Sequence, residues 1–325
     1  VDELKQLVDD IGAKAAQARF GDRRRPETFD ADLWRDLAET GLARLTTEQD
    51  AGPAEAAVVL AGLAGHAAAV PVAETDLLAG WLAGQAGLDV PAGPLTVAIG
   101  ADGIARDVPW PADAAILLAA RDEDGLRVGW VEDPDVSTGQ NLGGEPRGTL
   151  RYDTGGSVRL DAAVLDELVR RGAWARCVQI VGALDAALAL TVAHTSERVQ
   201  FGRALSKFQA VQHSLAAMAG EIEQARAATE LATAAVGEYG FADTRADYAV
   251  TVAKVAVGRA TTPVTTIAHQ LHGAIGVTIE HPLWSVTMRA RSWADEFGST
   301  ASYARRLGRW ALAAEDPWDV FITSP

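Results

Sequence analysis

Residues 198–213, RVQFGRALSKFQAVQH, decide how the chain is read. A helical pattern ends there in Arg198, an aromatic and Gly202, and another begins at once. Gly202 gives the turn a residue without Cβ constraint, and Ser206 with Gln209 has the S-x-x-Q spacing of a capping box. The stretch is therefore expected to be a tight connection between two helices. That geometry leaves Arg198 unexplained, and a guanidinium beside a helix N-terminus is a place where an anion can be held.

Beyond this turn the pattern is helical to the end. In the helix expected from Lys207, the residues Phe208, Val211, Leu215, Met218 and Ile222 make one apolar stripe. Tyr248, Val252, Val255 and Ala256 repeat it, with Pro263 expected to bend or divide that helix, and a last helix runs through Tyr303, Leu307 and Trp310. Long striped helices imply a bundle. Upstream, the texture changes to short β-type runs, LTVAIG, AAILLAA, LRVGWVE, GTLRYD and SVRL, separated by Gly, Pro, Asp and Asn. Before those, Leu4, Leu7, Val8 and Ile11 recur at helical spacing, as do the apolar residues of FDADLWRDLAETGLARL, which Gly41 is expected to close. The expected fold is mainly α with a small β domain. Residues 1–93 form an N-terminal helical domain, 94–165 a short middle β domain, and 166–325 a C-terminal four-helix bundle.

Composition narrows the function. The chain has 325 residues, 48% of them hydrophobic, enough for a substantial core. A net charge of -15 argues against nucleic acid, since the one dense basic run, Arg23-Arg24-Arg25, is short and reads as a solvated loop beside Pro26. The apolar stretch 56–74, AAVVLAGLAGHAAAVPVAE, is interrupted by His66 and Pro71 and reads as a buried helix, so no membrane insertion is expected. The start, VDELKQLVDDIG, has no apolar signal core, and the single Cys177 sits in an apolar helical pattern as a buried thiol; together they suggest a reducing, cytoplasmic compartment. His269 and His272 could share a helix face, but no acid or cysteine joins them at a metal-binding spacing, so a hydrogen-bonded helix end is expected and no metal. Neither a phosphate-binding P-loop nor a G-x-S-x-G elbow occurs.

Two further segments belong with the opening one: QLHGAIG at 270–276, and EHPLWSVTMRARSWADEFGST at 280–300, whose Arg289 and Arg291 read singly as surface charge. In order and spacing the three segments resemble the acyl-CoA dehydrogenase family. RVQFGRALSKFQ resembles its R-x-x-F-G-x-x-[LI]-x-x-[FHY]-Q segment. QLHGAIG followed by EHPL resembles its Q-x-x-G-G-x-G and acidic-x-Pro pair, with Ala274 in place of the second glycine. The resemblance implies that these segments reach across a dimer interface to hold the adenine dinucleotide half of the partner subunit's FAD. By it, Arg198 pairs with the pyrophosphate, and Gln200, Phe201, Phe208 and Gln209 line the adenosine side. Gln270, Leu271, His272, Gly273 and Ala274 supply side-chain and backbone hydrogen bonds. A planar cation with fixed donors suits a diphosphate.

The resemblance also exposes a break. Family members remove an α-proton from an acyl-CoA while a β-hydride passes to the flavin, and most carry the carboxylate base in an aromatic-Glu-Gly-[TS] run. Here the run is Glu296-Phe297-Gly298-Ser299, so Phe297 takes the base position. Glu296 is one residue away, which in a helical segment turns the side chain by about 100°. Another branch places the base on the preceding bundle helix, at a distance that lands here near Gly172, with Asp166 and Glu167 too far off. The family's T-E-P and W-[IV]-[ST] segments are also missing, and Trp110, between two prolines, reads as a turn covering the sheet.

The resemblance therefore extends to the short subunits of actinobacterial heterotetrameric (α2β2) steroid side-chain acyl-CoA dehydrogenases. It implies a chain without a complete site, paired with a homologous catalytic subunit, with an acyl-CoA substrate and an electron-transfer flavoprotein as acceptor. Two alternatives stand beside it: a homo-oligomeric enzyme with Glu296 as base, and a flavin-free scaffold.

Overall fold

The computed structural model describes residues 2–19, 25–123, 125–153 and 158–318; Arg23 and Arg24 of the basic run lie outside them. Helix α1 (Asp2–Ala18) lays Val8, Gly12 and Ala15 on the helices that follow. In α2 (Ala31–Glu39) the Asp30 carboxylate caps the N-terminus by accepting from the Leu33 amide at 3.0 Å, and Gly41, at φ 75°, closes the C-terminal end as expected. A 3-10 turn (Leu42–Arg44) and α3 (Leu45–Glu48) lead to α4 (Pro53–Gly65). The 56–74 run is buried, as expected, but is not one helix: α4 ends at Gly65, and the chain turns through Ala67 at φ 50°. A π-helical segment, Glu74–Gly80, then runs into α5 (Trp81–Gln85).

The middle of the chain is a seven-stranded sheet. Its strands are β1 (Leu95–Ala101), β2 (Ile104–Pro109), β3 (Ala115–Asp122), β4 (Gly125–Trp130), β5 (Asp135–Gln140), β6 (Pro146–Arg151) and β7 (Val158–Leu160), in the order β5-β6-β2-β1-β3-β4-β7. All pairs are antiparallel except β1 with β3, which run parallel with Leu95 opposite Ala115. Strands β2 and β5 were not expected. A bulge between Ala105 and Val108 breaks the alternation of β2, and β5 is an almost wholly exposed edge strand with no apolar face to read.

Helices then resume with α6 (Ala162–Glu197), α7 (Gln209–Tyr239), α8 (Thr244–His272), α9 (Pro282–Trp293) and α10 (Thr300–Ala313). By length and composition α6 could cross a membrane, yet Trp174, Cys177, Ile180 and Leu184 along it are buried in the bundle core. Pro263 does not divide α8, which runs unbroken through it. One apolar core links the N-terminal helices, one face of the sheet and the bundle. The other sheet face carries a smaller cluster around Ile116, Leu118 and Leu150.

Candidate functional site

The opening stretch folds as a short hairpin, β8 (Val199–Gln200) against β9 (Arg203–Ala204). Phe201 and Gly202 join it at φ 52° and 78°, the positive pair that a type I′ turn requires. A non-glycine residue there is strained, and Phe201 gains no burial for it: its side chain is 91% exposed. It is therefore not core. The Phe208 ring stands edge-on to it at 6.2 Å, and the Arg203 guanidinium covers Phe208 at 4.1 Å. The capping box does not form. Leu205–Lys207 is a separate 3-10 turn closed by the Phe208 amide on the Leu205 carbonyl, so α7 starts at Gln209 with Phe208 as its N-cap.

Arg198, Gln200 and Gln209 are exposed, and Arg198 makes no side-chain ion pair among the described residues. At the end of α8, Gln270, Gly273 and Ala274 are exposed, Leu271 is half-buried and His272 is buried. Gly273, at φ 67°, turns the chain into a 3-10 helix, Gly273–Val277, on which Ile275 and Val277 are also exposed. The helix ends that lead into the two segments meet, because His194, one turn before Arg198, stacks on His272 at 4.4 Å. His269 and His272 are hydrogen-bonded, to Thr287 Oγ1 and the Ala268 carbonyl at 2.8 Å each, and no metal-binding cluster exists among the described residues. The result is an exposed rim with the guanidinium of Arg198 free of ion pairs among the described residues, side-chain amide donors and unburied aromatic and aliphatic side chains.

A second cluster lies inside, where sheet, bundle and N-terminal helices meet. The Glu296 carboxylate accepts from Arg147 Nη2 and from Arg176 Nε, each at 2.7 Å. Arg176 also donates to Glu74 at 2.5 Å and to Gln179 at 2.6 Å, and Arg147 reaches Glu145 at 3.3 Å. Glu145 accepts from Trp293 Nε1 at 2.9 Å and from Asn141 at 2.6 Å. Arg289, expected at the surface, is 1% exposed: it donates to the Ala68 carbonyl at 2.6 Å and pairs with Glu27. Buried Lys254 donates to the carbonyls of Ala294 and Glu296 at 2.9 and 2.8 Å. Four cations thus meet four carboxylates, the balance that a desolvated cluster requires.

The space left beside this network, between Glu74, Trp110, Glu145, Arg176, Arg289 and Trp293, is about 20 Å³. That is room for a single water. Burial pushes the Glu296 carboxyl up, but Arg147 and Arg176 outweigh it and hold the group down to about 2. Phe297, at φ 55°, is fixed by the Tyr303 hydroxyl, which donates to its carbonyl at 3.0 Å, and its ring packs on Gly172. Trp110, at φ 49°, follows β2, is 2% exposed, meets Phe29 edge-on and lines this interior space. Sequence reasoning missed Glu74, Glu145, Arg147 and Arg176. Their partners lie up to 149 residues away, and no spacing rule spans that distance.

Residues 163–312 match the family described as acyl-CoA dehydrogenase, C-terminal domain. Over 127 residues, 39% of this chain, the sequence is 33% identical to acyl-CoA dehydrogenase IpdE2 of Mycolicibacterium smegmatis, of whose length the match covers 38%. The fold is similar over nearly the whole chain to a chain of the ChsE4-ChsE5 complex from Mycobacterium tuberculosis, with a TM-score of 0.81, 24% identity, and 96% and 97% of the two chains covered. It is similar to a chain of the Tcur3481-Tcur3483 steroid ACAD at the same TM-score, 25% identity, and 95% and 96% coverage. Residues 163–312 belong to the acyl-CoA dehydrogenase family, whose members are FAD-binding enzymes, and the whole chain has the family's fold.

Proposed function

We propose that this chain is a subunit of an FAD-dependent acyl-CoA dehydrogenase, has no complete active site of its own, and completes the FAD site of a homologous catalytic partner. One observation carries the reading: an exposed rim bearing the Arg198 guanidinium, which makes no ion pair among the described residues, sits on a chain whose interior is closed at both candidate base positions, Phe297 and Gly172. The rim fits the dinucleotide half of FAD. Arg198 would take the pyrophosphate, Phe201, Phe208, Gln200 and Gln209 the adenosine side, and Gln270 to Ala274 the remaining hydrogen bonds. The interior does not fit the flavin ring, because the ion network fills it.

Bound FAD supplies the hydride acceptor for α,β-desaturation of an acyl-CoA thioester. In this reading the partner contributes the base, and this chain binds and orients the dinucleotide. A general base works best with a pKa near the working pH, and Glu296, held at about 2 and committed to two arginines, is poorly suited to that task. Similarity to a steroid ACAD and to a two-protein complex supports a steroid acyl-CoA as substrate and a homologous partner subunit; the α2β2 assembly, a side-chain CoA and an electron-transfer flavoprotein as acceptor are what the family resemblance implies.

Coexpression with a neighbouring homologous gene tests this. Flavin absorbance and dehydrogenase activity should appear only in the mixed complex. Near-stoichiometric flavin in the isolated chain would overturn the reading in favour of a homo-oligomeric enzyme. A mixed complex that never holds flavin would leave the scaffold.

A further inference from the structure

The helix ends beside the two rim segments meet on three imidazoles from three elements. His194 lies in the last turn of α6, His272 ends α8, and His281 is the N-cap of α9. The rings of His194 and His272 are stacked at 4.4 Å and 19°; His281 meets His272 edge-on at 5.0 Å and 69°. Hydrogen-bond partners fix two tautomers. His272 Nδ1 faces the Ala268 carbonyl at 2.8 Å and must carry the proton, which leaves Nε2 buried without a partner on a residue 6% exposed. His281 Nδ1 accepts from the Leu283 amide at 3.2 Å and is therefore unprotonated. Ionisable groups that act on the stack include Glu197 and Arg198 on α6, and His269 on α8 with Arg291 of α9 beside it.

We propose that this stack is a pH-sensitive clasp that holds together the ends of α6 and α8, which lead into the 198–209 segment and the 270–277 turn, while its imidazoles are neutral, and releases them when His272 takes up a proton. A proton on His272 Nε2 would place an N–H where no acceptor lies and a charge 4.4 Å from the next ring. Burial first, and then the neighbouring His194 and His281, push His272 down to about 4; burial and Arg198 lower His194 as well. The closed form thus binds protons less readily than the open one. It is fully favoured above the ordinary imidazole value of 6.5 and is lost as the pH falls toward about 4. Release of flavin by the same step rests on the function proposed above.

Hydrogen exchange on the isolated full-length chain tests the clasp without flavin. The amides of Arg198, Leu205, Gly273, Thr278 and His281 donate to backbone carbonyls of the two segments or the helix ends beside them. Their protection factors, corrected for intrinsic exchange, should fall together by on the order of tenfold between pH 7.5 and 5. His272→Phe keeps a ring and cannot titrate, so it should flatten this dependence; His272→Gln, which also cannot titrate, serves if that variant does not fold. Protection that is independent of pH in the native chain, or falls equally in both variants, would overturn the clasp. If protection switches while FAD retention by the mixed complex does not, the clasp stands and the flavin reading fails.

Discussion

Phe297 lies directly on Gly172: a Cβ built on that glycine would stand 2.5 Å from the aromatic ring. These are the two positions at which the family resemblance puts a catalytic base, one from each branch. Here they fill the space against each other. Because the atoms approached include the ring carbon nearest the backbone, Phe297 cannot swing its far end away. Gly172→Ala therefore gains about 1 kcal/mol in helix propensity and loses about 1–3 kcal/mol to overpacking. It should lower stability in the native chain yet raise it by about 1 kcal/mol in a Phe297→Ala background. Urea unfolding of the four variants reads the reversal of sign, and equal effects in both backgrounds would mean that the contact does not decide the packing.

Glu296 joins β6, α6 and the turn after α9 through Arg147 and Arg176. Its folded pKa, about 2, lies below the ordinary 4.5, so its contribution to stability is complete above pH 4.5 and is lost as the pH falls toward about 2. Linkage puts that contribution on the order of 3 kcal/mol. Glu296→Gln should lower stability at pH 7 by a similar amount and flatten the acid limb of the stability curve. The kcat of a mixed complex should nevertheless stay within a few-fold, whereas a loss of several orders of magnitude would make Glu296 the base.

Cys177 is fully buried in α6, and burial pushes its thiol up to about 12 against the opposing charge of Lys254. The thiolate is the reactive species. The native chain at pH 8 should react with an aromatic disulfide reagent only through opening of the bundle, at a rate that follows denaturant concentration. Rapid stoichiometric labelling of the folded chain would show that α6 is accessible there.

What was legible in the sequence was local or periodic. Gly41 closes its helix, the apolar stripe of α7 buries Met218 and Ile222, and RVQFG turns on a positive-φ pair, because each depends on neighbours a few residues away. Ser206 misled for a related reason: the S-x-x-Q spacing is present, but a 3-10 turn takes Ser206 and leaves Phe208 as the cap. Arg289 misled because its fate depends on Glu27 and Ala68, more than 200 residues upstream. Strand β5 carried no signal because an exposed edge has no inner face. The rim of the candidate site was thus readable as a motif, and the closed interior behind it was not.

Arg198 carries the sharpest test. It is exposed at the end of α6, its backbone amide donates to the His194 carbonyl at 2.9 Å, and its side chain makes no ion pair among the described residues. Removing it should therefore leave the isolated chain unchanged: Arg198→Ala should keep the same helical content and melting temperature. In a mixed complex the same change would leave a diphosphate without its planar counter-ion. Flavin binding should weaken by on the order of 2–4 kcal/mol, since removing one partner of a desolvated charged hydrogen bond strands the other. Arg198→Lys should recover only part of the loss, having one point charge where a fork was used. Flavin fluorescence released on dilution of the complex measures both. If Arg198→Ala instead unfolds the isolated chain and spares flavin affinity, the arginine holds the fold and the cross-subunit assignment fails.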